Sequence, residues 1–335
     1  MLLTGEYGLR KRGPFDVAME WAKTLDRFVE WQAPHYDEDD QLHARDWVGT
    51  GVASATARAG SDQWTAVAIV ERRRLFDLDS FAKFRRDADQ YMREQGASFR
   101  VLVTGRIEIA AGALLGGSVG VPGGGRGGTL GGTIAAGSDC VGLTAGHVVS
   151  EGEKGGIAEQ PAPGLPGRPT EARTEIGHVI DWSKLRWRHN EADLGLIKLH
   201  PRCDNGDRSA FADLGPEGLR LLRVRKTGAA TGTTVGHVTL INAKKVGVLH
   251  GVRRRFFDGL FGIEGDGDRF AWYGDSGALV FPDGGGPDGD AAIGMVVAVA
   301  ATGGRDRQPL CLAVGSAAMS DTISKFLGNS ARTGA

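Results

Sequence analysis

The sequence predicts a mostly β protein, built as barrels or a sandwich and preceded by a small α/β unit. Three observations carry this. Beyond residue 132, short apolar runs follow one another, separated by Gly, Pro and Asp turns. Segments with apolar residues at helical spacing lie in the first hundred residues and at the C-terminal end. Between them, residues 112–132 (GALLGGSVGVPGGGRGGTLGG) are the densest glycine stretch in a chain of 335 residues that holds 53 glycines. That stretch reads as a boundary or wrapping segment.

Pro14 to Trp31 place Phe15, Ala18, Met19, Ala22, Leu25, Phe28 and Val29 at helical spacing, with Pro14 suited to a first turn. His35 to Gln41 reads as a polar loop, and Val48 to Ala57 and Trp64 to Val70 as strands. Asp79 to Gln95 reads as a helix with Phe81, Phe84, Ala88 and Tyr91 on one face and Gly96 as its stop. Phe99 to Ile109 alternates and reads as a strand. Further strands are expected at 132–136, 141–149, 175–181, 194–199, 221–226, 236–241, 246–252, 279–282 and 292–300. An amphipathic helix over about Ser316 to Leu327 closes the fold. The expected division is an N-terminal α/β accessory domain over 1–111, a β domain over 112–328 and a disordered tail over 329–335.

A hydrophobic content of 41% supports a sizeable core. A formal net charge of −1 gives no reason to expect nucleic acid or an anionic membrane as partner. The basic runs Glu71-Arg72-Arg73-Arg74 and Arg253-Arg254-Arg255 read as solvated strand or loop edges. Three cysteines, Cys140, Cys203 and Cys311, make no disulfide framework and have no zinc spacing. The first ten residues lack a signal-peptide pattern, and no apolar run approaches a membrane span, so a cytoplasmic location is expected. His178, His189, His200, His237 and His250 read as structural, and no metal or other cofactor is expected. Trp182 and Trp187 read as strand-face packing. Gly116-Gly117-Ser118-Val119-Gly120 matches a hydrolase elbow and 123–128 a dinucleotide fingerprint, but neither has the required strand and helix around it.

The chemistry-bearing segments are Gly274-Asp275-Ser276-Gly277, a histidine in Leu143-Thr144-Ala145-Gly146-His147-Val148 and an aspartate in Ala192-Asp193-Leu194-Gly195-Leu196-Ile197. They occur in the order His, Asp, Ser, one of the chain orders in which a nucleophile, base and orienting acid recur. Gly177-His178-Val179-Ile180 precedes the aspartate. Val224-Arg225-Lys226-Thr227-Gly228 and Thr231-Gly232-Thr233-Thr234-Val235-Gly236 follow it, and Ala292 to Val297 follows the serine. Over about residues 112 to 328 these motifs resemble the trypsin/chymotrypsin-like serine protease superfamily, and the N-terminal module with Gly128-Thr129-Leu130-Gly131 resembles its intracellular bacterial and plant members.

The resemblance implies a chymotrypsin-like double β-barrel with a C-terminal helix, hydrolysing protein or peptide substrates. His147 would be the base, Asp193 would orient it and Ser276 would be the nucleophile. The amides of Gly146 and His147 would hold the Asp193 carboxylate. Gly274 and Ser276 would supply the oxyanion-hole amides, each donor lowering the barrier by about 3 kcal/mol. Asp275 would be buried and ion-paired to order that loop, with Arg126 as its candidate partner and no zymogen cleavage. Phe270 falls at the pocket floor and Val297, Ala298 and Val299 on its wall, so an uncharged P1 residue is expected, with Phe270, Val297 and Val299 as pocket residues. Val297 also replaces a serine that supports the catalytic aspartate in relatives. Residues 1–111 would guide substrate choice or bind a regulatory protein. Two other readings use the same residues: an esterase, and a catalytically inactive protease-like scaffold.

Overall fold

The computed structural model of the chain describes residues 14–33, 48–54, 64–71, 78–109, 118–124, 127–160, 174–200, 209–250, 253–267, 269–284, 291–302 and 309–333. The polar loop expected at 35–41 and Arg126 lie outside these residues.

The N-terminal segment begins with α1 (Pro14–Arg27), which runs into a π-helical turn (Phe28–Gln32). There follow β1 (Val48–Ser54), β2 (Trp64–Glu71), α2 (Leu78–Glu94) and β3 (Phe99–Ile109). The helical spacing puts Phe15, Ala18, Ala22, Leu25, Phe28 and Val29 on the buried side of the first segment. Phe84, Ala88 and Met92 form the buried row of α2, and the Phe28 ring stacks on Tyr91 at 5.1 Å between centroids. Helix α2 stops at Gly96, whose φ of +64° lets the amides of Gly96 and Ala97 fold back onto Arg93 and Met92 carbonyls.

A first β unit follows. It holds β4 (Ser118–Gly120), β5 (Gly127–Thr129), β6 (Gly132–Ala136), β7 (Asp139–Thr144), the single turn α3 (Gly146–Val149), β8 (Ile157–Gln160), β9 (Thr174–Trp182) and β10 (Gly195–Leu199). These strands make one sheet in the order β5-β4-β8-β9-β10-β7-β6, curled into a half-barrel over Val119, Val141, Leu143, Val179, Leu196 and Ile197.

The second unit holds β11 (Ala210–Phe211), α4 (Gly215–Leu219), β12 (Arg223–Gly228), β13 (Gly232–Lys244), β14 (Val246–His250), β15 (Arg253–Phe257) and β16 (Leu260–Gly265). It continues with β17 (Leu279–Pro282), β18 (Ala291–Ala292), β19 (Gly294–Thr302), β20 (Leu310–Gly315) and α5 (Ser316–Thr333). Strands β12, β17, β19, β20, β16 and β13 pair in a ring that closes because β12 also pairs with β13. This closed barrel, the half-barrel and α5 make the mostly β double-barrel architecture expected of a chymotrypsin-like fold, behind a small α/β segment.

Three details differ from the sequence reading. The strand expected over 141–149 ends at Thr144, and His147 sits on the α3 turn. Helix α5 continues to Thr333, through residues expected in the tail. Strands β1 and β3 do not form a sheet apart: β1 pairs antiparallel with β13, and β3 pairs with both β14 and β19. The N-terminal segment is therefore hydrogen-bonded into the sheet of the second barrel. Cys140 on β7 is disulfide-bonded.

Candidate active site

His147, Asp193 and Ser276 come from three loops at one seam. Helix α3 starts with Gly146 because a side chain there would strike the Asp193 carboxylate, 2.7 Å from where a Cβ would stand. Asp193 ends the loop into β10, with its side chain fully buried. His147 Nδ1 lies 2.5 Å from Asp193 Oδ2, and the His147 amide donates to Asp193 Oδ1 at 3.0 Å. The Gly146 amide, expected on that carboxylate, donates to the backbone carbonyl of Asp193 instead. Bonding on Nδ1 leaves Nε2 as the nitrogen free to exchange a proton with a substrate or nucleophile.

Ser276 is reached through close backbone packing. The Thr129 amide donates to the Ser276 carbonyl at 2.7 Å. A Cβ on Gly128 would stand 2.6 Å from that carbonyl and 2.4 Å from Val148 Cγ2, so Gly128 is wedged between the serine loop and the turn that carries His147. Gly277 has a φ of +96°, and a Cβ on it would stand 2.9 Å from the Ala145 nitrogen. Ser276 Oγ and His147 Nε2 are both buried, and neither has a hydrogen-bond partner among the described residues. Unpaired buried polar atoms are rare and concentrate where chemistry is done. Catalytic hydrogen bonds are often long before substrate binds and tighten in the complex.

Gly274 has a φ of +100°, a conformation only glycine adopts cheaply. Its carbonyl accepts from Thr129 Oγ1 at 2.9 Å. The Gly274 and Ser276 amides donate to no acceptor among the described residues, as two open oxyanion donors require.

Among the described residues, the ion-pair partner of Asp275 is Lys226. Both Lys226 and Asp275 side chains are wholly buried, with Nζ 3.2 Å from Asp275 Oδ2. Asp275 Oδ1 also accepts from the Ala230 and Thr231 amides, and Oδ2 from Thr231 Oγ1 and the Trp272 amide. Lys226 Nζ further bonds Thr231 Oγ1 and the Gly232 carbonyl. Burial pushes the Lys226 ammonium below its ordinary pKa, against the pull of Asp275. Cys311, free and buried nearby, has its thiol pushed up by burial, with Lys226 opposing. A Cβ on Gly228 would stand 2.3 Å from Asp275 Oδ1. The K-x-G…T pattern thus reads as one device: Lys226 gives the charge, Gly228 the room and Thr231 two donors. The pattern was visible in the sequence, but its target was not.

The three expected pocket residues are closed off. Phe270 is 0% exposed inside the second barrel, against Gly236 and below Lys226, because the residues from 270 turn inward to carry Asp275 to its ammonium. Val297 and Val299 are 1% and 2% exposed. Val297 packs into the core shared with the first barrel, and no side-chain hydroxyl supports Asp193 among the described residues.

Strand β19 joins the Ser276 loop to the N-terminal segment. The Gly277 amide donates to the Val296 carbonyl, and the Val296 amide to the Ala278 carbonyl. Two residues on, Ala298, Val299 and Ala300 pair antiparallel with Ile109, Glu108 and Ile107 of β3. The end of β3 lies about 7 Å along β19 from the Ser276 loop, at ~3.3 Å per residue.

No known family model and no curated protein sequence matches the chain. Solved structures with a similar fold are chymotrypsin-like serine proteases. One is a glutamic-acid-specific serine protease described as using a histidine triad in substrate binding (16% identity, 63% of this chain and 95% of that one, TM-score 0.41). Others are Thermobifida fusca protease A (18%, 65% and 97%, TM-score 0.40) and Cellulomonas bogoriensis chymotrypsin (17%, 64% and 96%, TM-score 0.37).

Proposed function

We propose that the chain is a serine endopeptidase whose cleft is closed by its own N-terminal segment. His147 Nε2 takes the proton of Ser276 Oγ as that oxygen attacks a peptide carbonyl. The Gly274 and Ser276 amides hold the resulting oxyanion. Collapse breaks the C–N bond, and His147 returns its proton to the departing amine. Water then repeats the sequence on the acyl-enzyme. Asp193 on Nδ1 fixes the tautomer that makes this possible. The observation that carries the reading is the pair of buried, unpartnered atoms, Ser276 Oγ and His147 Nε2, beside two undonated amides.

Regulation by residues 1–111 follows from β3. An extended peptide binds a free strand edge by backbone hydrogen bonds. At Ala298–Ala300 that edge is already taken by β3, and both reacting atoms are out of solvent.

The alternative, an inactive scaffold, is favoured by the missing hydroxyl at Val297 and the missing Ser276–His147 hydrogen bond. Fluorophosphonate labelling of the full chain separates the two. Wild type is expected to label slowly at Ser276, Ser276→Ala not at all, and Glu108→Pro at least about tenfold faster, because proline breaks strand pairing. A folded Glu108→Pro chain that takes no label sinks the endopeptidase reading.

A further inference from the structure

We propose that Glu175, His178 and His200 bind a divalent transition-metal ion of the zinc class on the solvent face of the first barrel. The site is separate from the catalytic seam: His200 follows β10, whose other end carries Asp193, roughly 20 Å away at ~3.3 Å per residue.

Along a regular strand, residues three apart face opposite sides. Glu175 and His178 share a face because β9 carries a bulge. Ala158 of β8 pairs with Gly177 and Glu159 with Glu175, so Ile176 is an extra residue. Gly177, with a φ of +158°, makes the bulge possible: a Cβ there would stand 2.0 Å from the Lys198 carbonyl. His200 reaches the same face from the neighbouring strand. Lys198 pairs with His178, and His200 lies two residues further, its amide donating to the Ile176 carbonyl at 2.8 Å. Bulges of this kind re-aim side chains at functional positions.

The donor atoms converge. Nε2 of His178 and Nε2 of His200 lie 3.7 and 3.8 Å from the same Glu175 Oε1, and the three ligand atoms fit within 4.8 Å. Donors on a tetrahedral zinc ion, each about 2.0–2.1 Å from the metal, stand about 3.4 Å apart. The side chains are 42%, 45% and 51% exposed for His178, Glu175 and His200, leaving freedom to close the difference. Two imidazoles and one carboxylate are a donor set for zinc-class ions, with remaining positions for water.

The His178 ring meets the His200 ring edge-on, 4.9 Å between centroids, and His178 Nε2 is too far from Glu175 for a hydrogen bond, so it is open to a metal ion. Lys198, paired with His178 on the neighbouring strand, is committed to Asp139 Oδ2 at 2.7 Å.

The test is titration of the full chain, purified with chelator and exchanged free of it, with Zn²⁺ followed by calorimetry and with Co²⁺ followed by visible absorption. About one ion per chain is expected, with a Co²⁺ spectrum of low coordination number and a rise in Tm that chelator reverses. His200→Ala and Glu175→Gln, at half-exposed positions that leave folding intact, should each weaken binding at least about tenfold. His178→Ala should abolish the Co²⁺ spectrum. No stoichiometric binding to wild type, or undiminished binding in His200→Ala, would overturn the proposal. Because the readout is metal binding and Tm, its failure is independent of whether Ser276 is active.

Discussion

Replacing Lys226 by methionine removes the charge from a pair in which neither side chain touches solvent. Breaking a buried pair by deleting one partner costs about 3–5 kcal/mol, because the other charge is stranded. Asp275 would keep four donors, from Ala230, Thr231 twice and Trp272. Hydrogen bonds to a charged group contribute about 1.5–3 kcal/mol each, so the lower end applies. We expect Lys226→Met to cost ~3 kcal/mol, a folding equilibrium weaker by roughly a hundredfold. The assay is equilibrium urea unfolding followed by tryptophan fluorescence, since Trp272 sits on the affected loop. Lys226→Met/Asp275→Asn removes both charges and should recover at least about 1 kcal/mol relative to the single variant. A single variant within about 0.5 kcal/mol of wild type, or a double variant no more stable than the single, refutes the assignment of Lys226 as the counter-ion that orders the oxyanion loop.

Two further outcomes are expected. Asp193→Asn keeps the shape but loses the acceptor that sets the His147 tautomer, so Ser276 labelling in a chain opened by Glu108→Pro should fall by about 10⁴; an unchanged rate would remove Asp193 from the triad. Cys311 should resist thiol reagents until the second barrel unfolds. Its raised pKa means the native chain binds the proton more tightly than the unfolded one, so its contribution to stability is complete below the ordinary thiol value and is lost progressively above it. Native-state labelling at the rate of an exposed thiol would contradict its burial.

The sequence made strand segments legible where a short β-like run is bounded by turn residues, as in 132–136 and 279–282, and the helices where apolar spacing ends at a glycine stop such as Gly96. It hid Leu260–Gly265 and Leu310–Gly315, whose patterns are broken by Gly262 and by a short run into α5. The positions of His147, Asp193, Gly274 and Ser276 were legible because their local motifs carry their own turn chemistry. The partner of Asp275 was not, since Lys226 is 49 residues away along the chain (275 − 226) and only the barrel closure of β12 onto β13 and β17 makes them neighbours. The burial of Phe270 was hidden for a related reason: counting back from Ser276 finds its position but not the direction its ring takes. The seating of β3 on β19 is a long-range pairing that no local pattern announces.

That seating has a practical corollary. Cutting the chain near residue 111 and discarding the first part would bare the flank of β13 at Thr50's partner Lys244 and the flank of β19 from Ala298 to Thr302. The β19 flank is apolar over Ala298–Ala300, and naked strand edges recruit one another between molecules. A shortened chain is therefore expected to precipitate or pair with itself, and a nicked one to migrate as a single particle until denatured.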